Sequence, residues 1–240
     1  SGSDIAEYGT NSGIAAYSFG TTSCNPGSQV VIWTSQDHPV ISQNFYRYKD
    51  GRFEHIGQSW LKHGFCAVNE SGCGSCQSTP CDTLGLGCAD TYGSGLNDGK
   101  FGGPKYLVNG NTGAHTESYP APSGNTTIRG RLQVPVVDIG PAQIPGAVWF
   151  AESQYVSANE YLAGNGKNSV SWRRLNVNSV TNITSSGGTV IGEAAPHAWK
   201  SVDPHATVRE VFNPNEGGAG VHGHFAVGYR ATALGGGMWR

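Results

Sequence analysis

The chain predicts an all-β fold, sandwich-like antiparallel sheets with a long disulfide-stapled irregular loop, and three observations carry that expectation. Apolar residues recur with period two, the mark of half-buried strands, while runs with helical spacing are nearly absent. Glycine supplies 36 of 240 residues and charged side chains 13%, about half of the roughly 25% usual in soluble domains. Six cysteines stand in a chain with a single methionine, five of them between Cys66 and Cys88, a density that points to cross-linking in an oxidising compartment.

The elements follow in chain order. A short strand is expected over 29–33. A hairpin follows, with strands over 40–48 and 52–56 around Lys49-Asp50-Gly51, because Asp-Gly supplies the positive φ angles of tight β-turns. From 64 to 124 the periodicity stops, and about sixty residues rich in Gly, Ser, Asn, Asp, Pro and Cys need ties to be ordered in a compact fold. The cysteines are those ties. The clearest alternation lies in 126–137, where Ile128, Leu132, Val134 and Val136 share one face and Pro135 on the other demotes the strand towards a sheet edge. Further strands are expected over 147–156, 169–177, 207–212 and 221–233, with single helical turns near 159–162 and 196–200. We read 1–240 as one β-rich domain with 64–124 as a Cys/Gly-rich irregular insertion.

Composition also restricts function. A formal net charge of −2 without a Lys/Arg cluster offers no footprint for nucleic acid or anionic lipid, and no apolar run approaches the length that spans a bilayer, so neither nucleic acid nor membrane insertion is expected. A secreted, extracellular or cell-surface protein is. Its start at Ser1 reads as a processed end and Arg240 as a truncation or proteolytic boundary.

Several stretches resemble a family of uncharacterised secreted proteins from environmental bacteria, planctomycetes among them. They are Gly20-Thr21-Thr22-Ser23-Cys24-Asn25, His38-Pro39-Val40-Ile41, Ser59-Trp60-Leu61-Lys62-His63-Gly64-Phe65, Leu84-Gly85-Leu86-Gly87-Cys88-Ala89-Asp90 and Gly228-Tyr229-Arg230 before Gly235-Gly236-Gly237. The resemblance implies that the chain is the N-terminal portion of a longer one, and it brings no activity. It matches Cys24, Cys73, Cys76 and Cys88 to family positions, and Cys66 and Cys81 as additions, most simply one extra bridge, among the fifteen connectivities six cysteines allow.

Candidate sites are few. Cys73-Gly74-Ser75-Cys76 fits a disulfide knot better than a zinc half-site or a redox pair, since flanking glycines argue against the helix that activates a thiol. His222 and His224, two apart on a strand, share a face in the manner of strand-borne zinc or copper ligands, though two solvated histidines are the simpler reading. His63 and His38 stand at junctions with irregular structure, where histidines act as bases, ligands or loop anchors. Asp90 and Asp98 are the calcium candidates of the glycine-rich loop, without EF-hand spacing. A hydrolase would combine Ser59, His63 and Asp90 or Asp203, but no G-x-S-x-G elbow is present. Aromatics such as Trp60, Trp149 and Trp172 could stack on polysaccharide or fill a core. Asn69, Asn125 and Asn182 lie in glycosylation sequons. These features favour an extracellular structural, surface or assembly component, partnered by copies of itself or by the remainder of the same protein. The alternative is a secreted enzyme dependent on zinc, copper or calcium, or a glycan-binding module.

Overall fold

The computed structural model describes residues 4–34, 38–109, 112–213 and 223–240. Among the described residues seventeen strands follow one another. They begin with β1 (Ile5–Asn11), β2 (Ile14–Phe19), β3 (Thr21–Cys24), β4 (Val31–Ile32), β5 (Val40–Lys49), β6 (Arg52–Gln58) and β7 (Lys62–His63). The irregular segment contributes β8 (Thr83–Leu84) and β9 (Ala89–Tyr92), followed by β10 (Leu132–Pro135), β11 (Val148–Val156), β12 (Val170–Ser179) and β13 (Asn182–Ile191). Two hairpins close the chain: β14 (Thr207–Asn213) with β15 (Gly223–Tyr229), and β16 (Ala233–Gly235) with β17 (Met238–Trp239). Two short helices, α1 (Ala158–Leu162) and α2 (Pro196–Val202), fall on the expected turns.

The scaffold is one large antiparallel sheet in the order β1-β2-β10-β6-β5-β11-β12-β13, with β7 paired to β5. It curls until its outer strands meet through side chains. The Ile183 N–H donates to Glu7 Oε1 at 2.8 Å, and the Tyr17 hydroxyl donates to the Val180 carbonyl at 2.7 Å. The enclosed core joins Tyr17, Phe45, Leu132, Val134, Trp149, Leu175 and Ile183 from both halves of the curl. The hairpin turns at Asp50 (φ 49°) and Gly51 (φ 77°), as the Asp-Gly pair requires.

Alternation reads β10 correctly but overstates its length, since 125–130 folds as turns and only Leu132–Pro135 is extended. Pro135 does not mark an edge here. β10 lies between β2 and β6, meeting β6 through Gln133 and Gln58 alone, so the missing N–H of Pro135 falls past that pairing. In β15 the apolar row faces outward. Phe225, Val227 and Tyr229 are exposed, whereas Gly228 lies against Trp199 and Pro196 of α2 and Arg230 pairs with buried Asp203 at 3.1 Å.

The irregular segment is tied as its composition requires. Disulfides Cys24–Cys73, Cys66–Cys81 and Cys76–Cys88 use all six cysteines, which leaves no thiolate for zinc or redox chemistry. Strand β9 pairs with β3 and β8 with β4, and Trp33, Ile41, Leu84, Tyr92 and Tyr155 make a second core beneath these ribbons. Three disulfides point to an oxidising environment, and among the described residues no helix is long and apolar enough to cross a membrane.

Candidate metal centre

Three imidazoles converge where β5 and β7 begin. In this pairing Val40 stands opposite His63, and the Gly64 N–H donates to the Pro39 carbonyl at 2.9 Å, so the chain entering β5 and the chain leaving β7 run side by side. A Cβ on Gly64 would stand 2.8 Å from that carbonyl, and only glycine admits so close an approach. His38 and His63 are thereby brought together, with His38 Nε2 2.9 Å from His63 Nδ1. The third, His115, comes from the long irregular segment. Its ring centroid lies 5.1 Å from that of His38 and 5.3 Å from that of His63. One nitrogen from each ring falls in a group whose members all lie within 4.8 Å of one another, and this is the one such His/Cys/Asp/Glu group among the described residues.

The hydrogen bonds fix the tautomers. His38 Nδ1 faces two acceptors, Glu117 Oε1 at 2.9 Å and the Thr34 carbonyl at 3.2 Å, so this nitrogen carries a proton. In a neutral His38 ring Nε2 is then a lone pair, and the His63 Nδ1–H donates to it. Burial, then the neighbouring His38, His115 and Lys62, pull His63 down to about 4, which keeps it neutral. Both nitrogens of His115 are buried without a hydrogen-bond partner, a cost a protein rarely carries in a side chain that has no ligand. The His63 ring stacks on Tyr119 at 4.4 Å. Trp33, Phe65, Glu117 and Tyr119 wall a cavity of about 240 Å³ beside His38 and His63.

These groups suit a borderline-soft divalent ion. At Zn–N distances of 2.0–2.1 Å, tetrahedral ligands lie about 3.3 Å apart, so a metal here would draw the rings together and replace the hydrogen bond between His63 Nδ1 and His38 Nε2. A Glu117–His38 pair behind a ligating nitrogen is the carboxylate–histidine arrangement that orients metal-bound imidazoles. Calcium, which takes oxygen ligands, does not match three nitrogens.

On the opposite side of β7, Lys62 points into the second core. Its Nζ lies 3.5 Å from the Tyr92 ring centre and 4.1 Å from that of Phe65, with no hydrogen-bond partner. Burial lowers it to about 7, against the opposing attraction of Asp90. Asp90 is buried and accepts from the Val68 N–H at 2.8 Å, and burial raises its carboxyl.

Among the remaining sequence candidates, Asp98 pairs with Arg131 at 3.3 Å and Lys100 at 3.2 Å, and no metal-competent group of described residues contains Asp90 or Asp98. Ser59 Oγ accepts from the Gln43 N–H at 3.0 Å, and Asp203 pairs with Arg230, so the hydrolase triad does not assemble. His222 lies outside the described residues. His224 lies in β15 opposite Phe212, away from the trio in sequence and in pairing. Asn69 serves the fold, donating to the Thr79 and Thr83 carbonyls and accepting from the Gly85 N–H.

His115 and Glu117 escaped the sequence reading because no periodicity surrounds them, and Tyr119 counted only among the aromatics. Their spacing held a signal, since positions two apart share one side of an extended chain. The fold and site define a class: an all-β, disulfide-linked protein with a three-histidine centre. No protein-family model, curated protein or solved structure matches the chain.

Proposed function

We propose that this is a secreted, metal-dependent protein whose centre, formed by His38, His63 and His115, holds one zinc or copper(II) ion with a coordination position left for water or substrate. The observation that carries this reading is the convergence of three imidazoles, one of them with both ring nitrogens buried and neither bonded. Three histidines with an open position are the pattern of catalytic rather than closed structural zinc sites. A bound metal there would supply a Lewis acid and an acidified water. The aromatic-walled cavity gives a substrate access, and Glu117 holds His38 in the ligating tautomer. The disulfides support an extracellular setting.

Elemental analysis of protein produced in an oxidising compartment tests the proposal. One equivalent of zinc or copper is expected, lost in His63→Ala and His115→Ala variants that keep their fold. If no metal binds saturably at millimolar zinc or copper, or if binding disappears with His222 and His224 and survives loss of His115, the assignment is wrong.

A second reading, self-assembly into an oligomer or fibre, rests on the exposed apolar residues of the last two hairpins, among them Phe225 at 54% and Trp239 at 68% exposure. Analytical ultracentrifugation decides it. A monomer across the micromolar range, unchanged by Trp239→Ser, removes its support.

A further inference from the structure

A cavity of about 780 Å³ lies between β3 and the β11–β12 pair, and eight serine and threonine residues contribute to its lining. The cavity beside the histidines, of about 240 Å³, is different in kind. Five of the eight described residues that line it carry rings: Trp33, His38, His63, Phe65 and Tyr119. None of the eight has an aliphatic hydroxyl or an amide side chain, Glu117 is the one carboxylate, and lysine and arginine are absent from them.

Each of these features excludes a class of ligand. A volume below the roughly 300–1,000 Å³ of drug-sized sites leaves room for one small ring, not for an oligosaccharide or a peptide segment. A single sugar would fit, but most of its hydroxyls would lie against rings without a hydrogen-bond partner, at a cost for each. An inorganic phosphate or a short carboxylic acid would face Glu117 with no cationic side chain to offset the repulsion. What remains is a flat, uncharged molecule with few polar atoms.

The accessible rings suit such a molecule. Lys62 Nζ covers one face of the Phe65 ring at 4.1 Å from its centre, and Tyr92 meets that ring at 74°. Phe65 is nevertheless 51% exposed, so its ring keeps a bare face. Tyr119 is partly exposed and stacks on His63, the ring centres 4.4 Å apart and the planes inclined by 26°. A guest ring laid beside Tyr119 would stand next to a ligating imidazole, with a substituent on its edge able to reach the ion.

We infer that this cavity takes a small phenol or catechol, its ring against Phe65 and Tyr119 and a hydroxyl oxygen in the coordination position left open by the three histidines. The inference rests on the metal reading above and adds the class of substrate to it.

The test uses the full chain, first assayed for bound zinc, and titrates it with 4-nitrocatechol, whose visible absorption band shifts when its oxygen meets a metal ion. A saturable shift is expected for zinc-loaded protein and not for metal-free protein or His115→Ala. Phe65→Ala and Tyr119→Leu, which alter no ligand, are expected to keep zinc and to weaken nitrocatechol binding about three- to tenfold, the effect of one aromatic contact. Failure to bind zinc overturns both readings. A chain that holds one zinc yet gives no saturable shift, that binds nitrocatechol as tightly in both ring variants, or from which glucose or inorganic phosphate displaces it at equal concentration overturns this inference alone and leaves the metal centre standing.

Discussion

His38 is held at both ends of its ring, and the two contacts have different consequences. Its Nδ1–H to Glu117 keeps Nε2 as a lone pair, so Glu117→Gln, which offers a neutral acceptor in place of a charged one, is expected to reduce zinc affinity about 10- to 100-fold without unfolding the protein. Competition against a fluorescent zinc chelator measures it, and an unchanged affinity would place Glu117 outside the site. His63 carries the pH dependence. Its folded value near 4 lies below the ordinary 6.5, so on acidification the unfolded chain takes up this proton first. The stability tied to neutral His63 is therefore complete above about pH 6.5 and is lost as pH falls towards 4. Urea midpoints of metal-free protein should drop more steeply across that window in the parent than in His63→Gln, and parallel slopes would contradict the burial argument. His38 and His63 were legible in the sequence as histidines at junctions. Their meeting was not, because it depends on the β5–β7 pairing and on a segment with no periodicity.

At the level of elements, turn chemistry was legible where burial was not. Strands β5 and β6 were found with their Asp-Gly turn, although residues 40–43 of β5 are buried without interruption. Strand β2 was missed because Ala15 to Phe19 are buried without interruption, and a run buried on both faces has no period of two to read. In β15 the apolar row does not face the core. Pattern alone sends the apolar row inward, but a glycine at 228 lets Trp199 of α2 approach the other face. The β5–β7 junction makes a test at this scale. Gly64→Ala forces a Cβ against the Pro39 carbonyl and towards His38, and it should cost about 1–3 kcal/mol of stability and weaken zinc binding without altering a ligand. Gly188→Ala in β13, where an added Cβ meets nothing within 4 Å, is the matched control and should leave zinc binding unchanged. Guanidinium unfolding with and without zinc reads both, and equal behaviour of the two variants would mean that the close approach does not position His38.

For the whole molecule, the curled sheet supplies a scaffold that folds around its own core, while the ribbons β8 and β9 are tied by cross-links. The bridges should not be equivalent. In the chain-entropy account, Cys24–Cys73, with a sequence separation of 49, restrains the unfolded chain more than Cys66–Cys81, with a separation of 15, by about 4 against about 3 kcal/mol. The metal centre reverses that order. Cys66 lines the cavity beside His63, whereas Cys24 and Cys73 border the other cavity. Replacing Cys66 and Cys81 together by alanine should therefore cost less stability than replacing Cys24 and Cys73, yet reduce zinc affinity more. Zinc at a hundredfold excess over its dissociation constant stabilises the parent by about 2.7 kcal/mol, a rise of roughly 5–10 °C in midpoint for a chain of this size. That rise should shrink most in the Cys66/Cys81 variant. If it shrinks equally in both, the bridges act on the site only through global stability. If zinc produces no rise in the parent at saturating concentration, the three histidines do not form a metal centre.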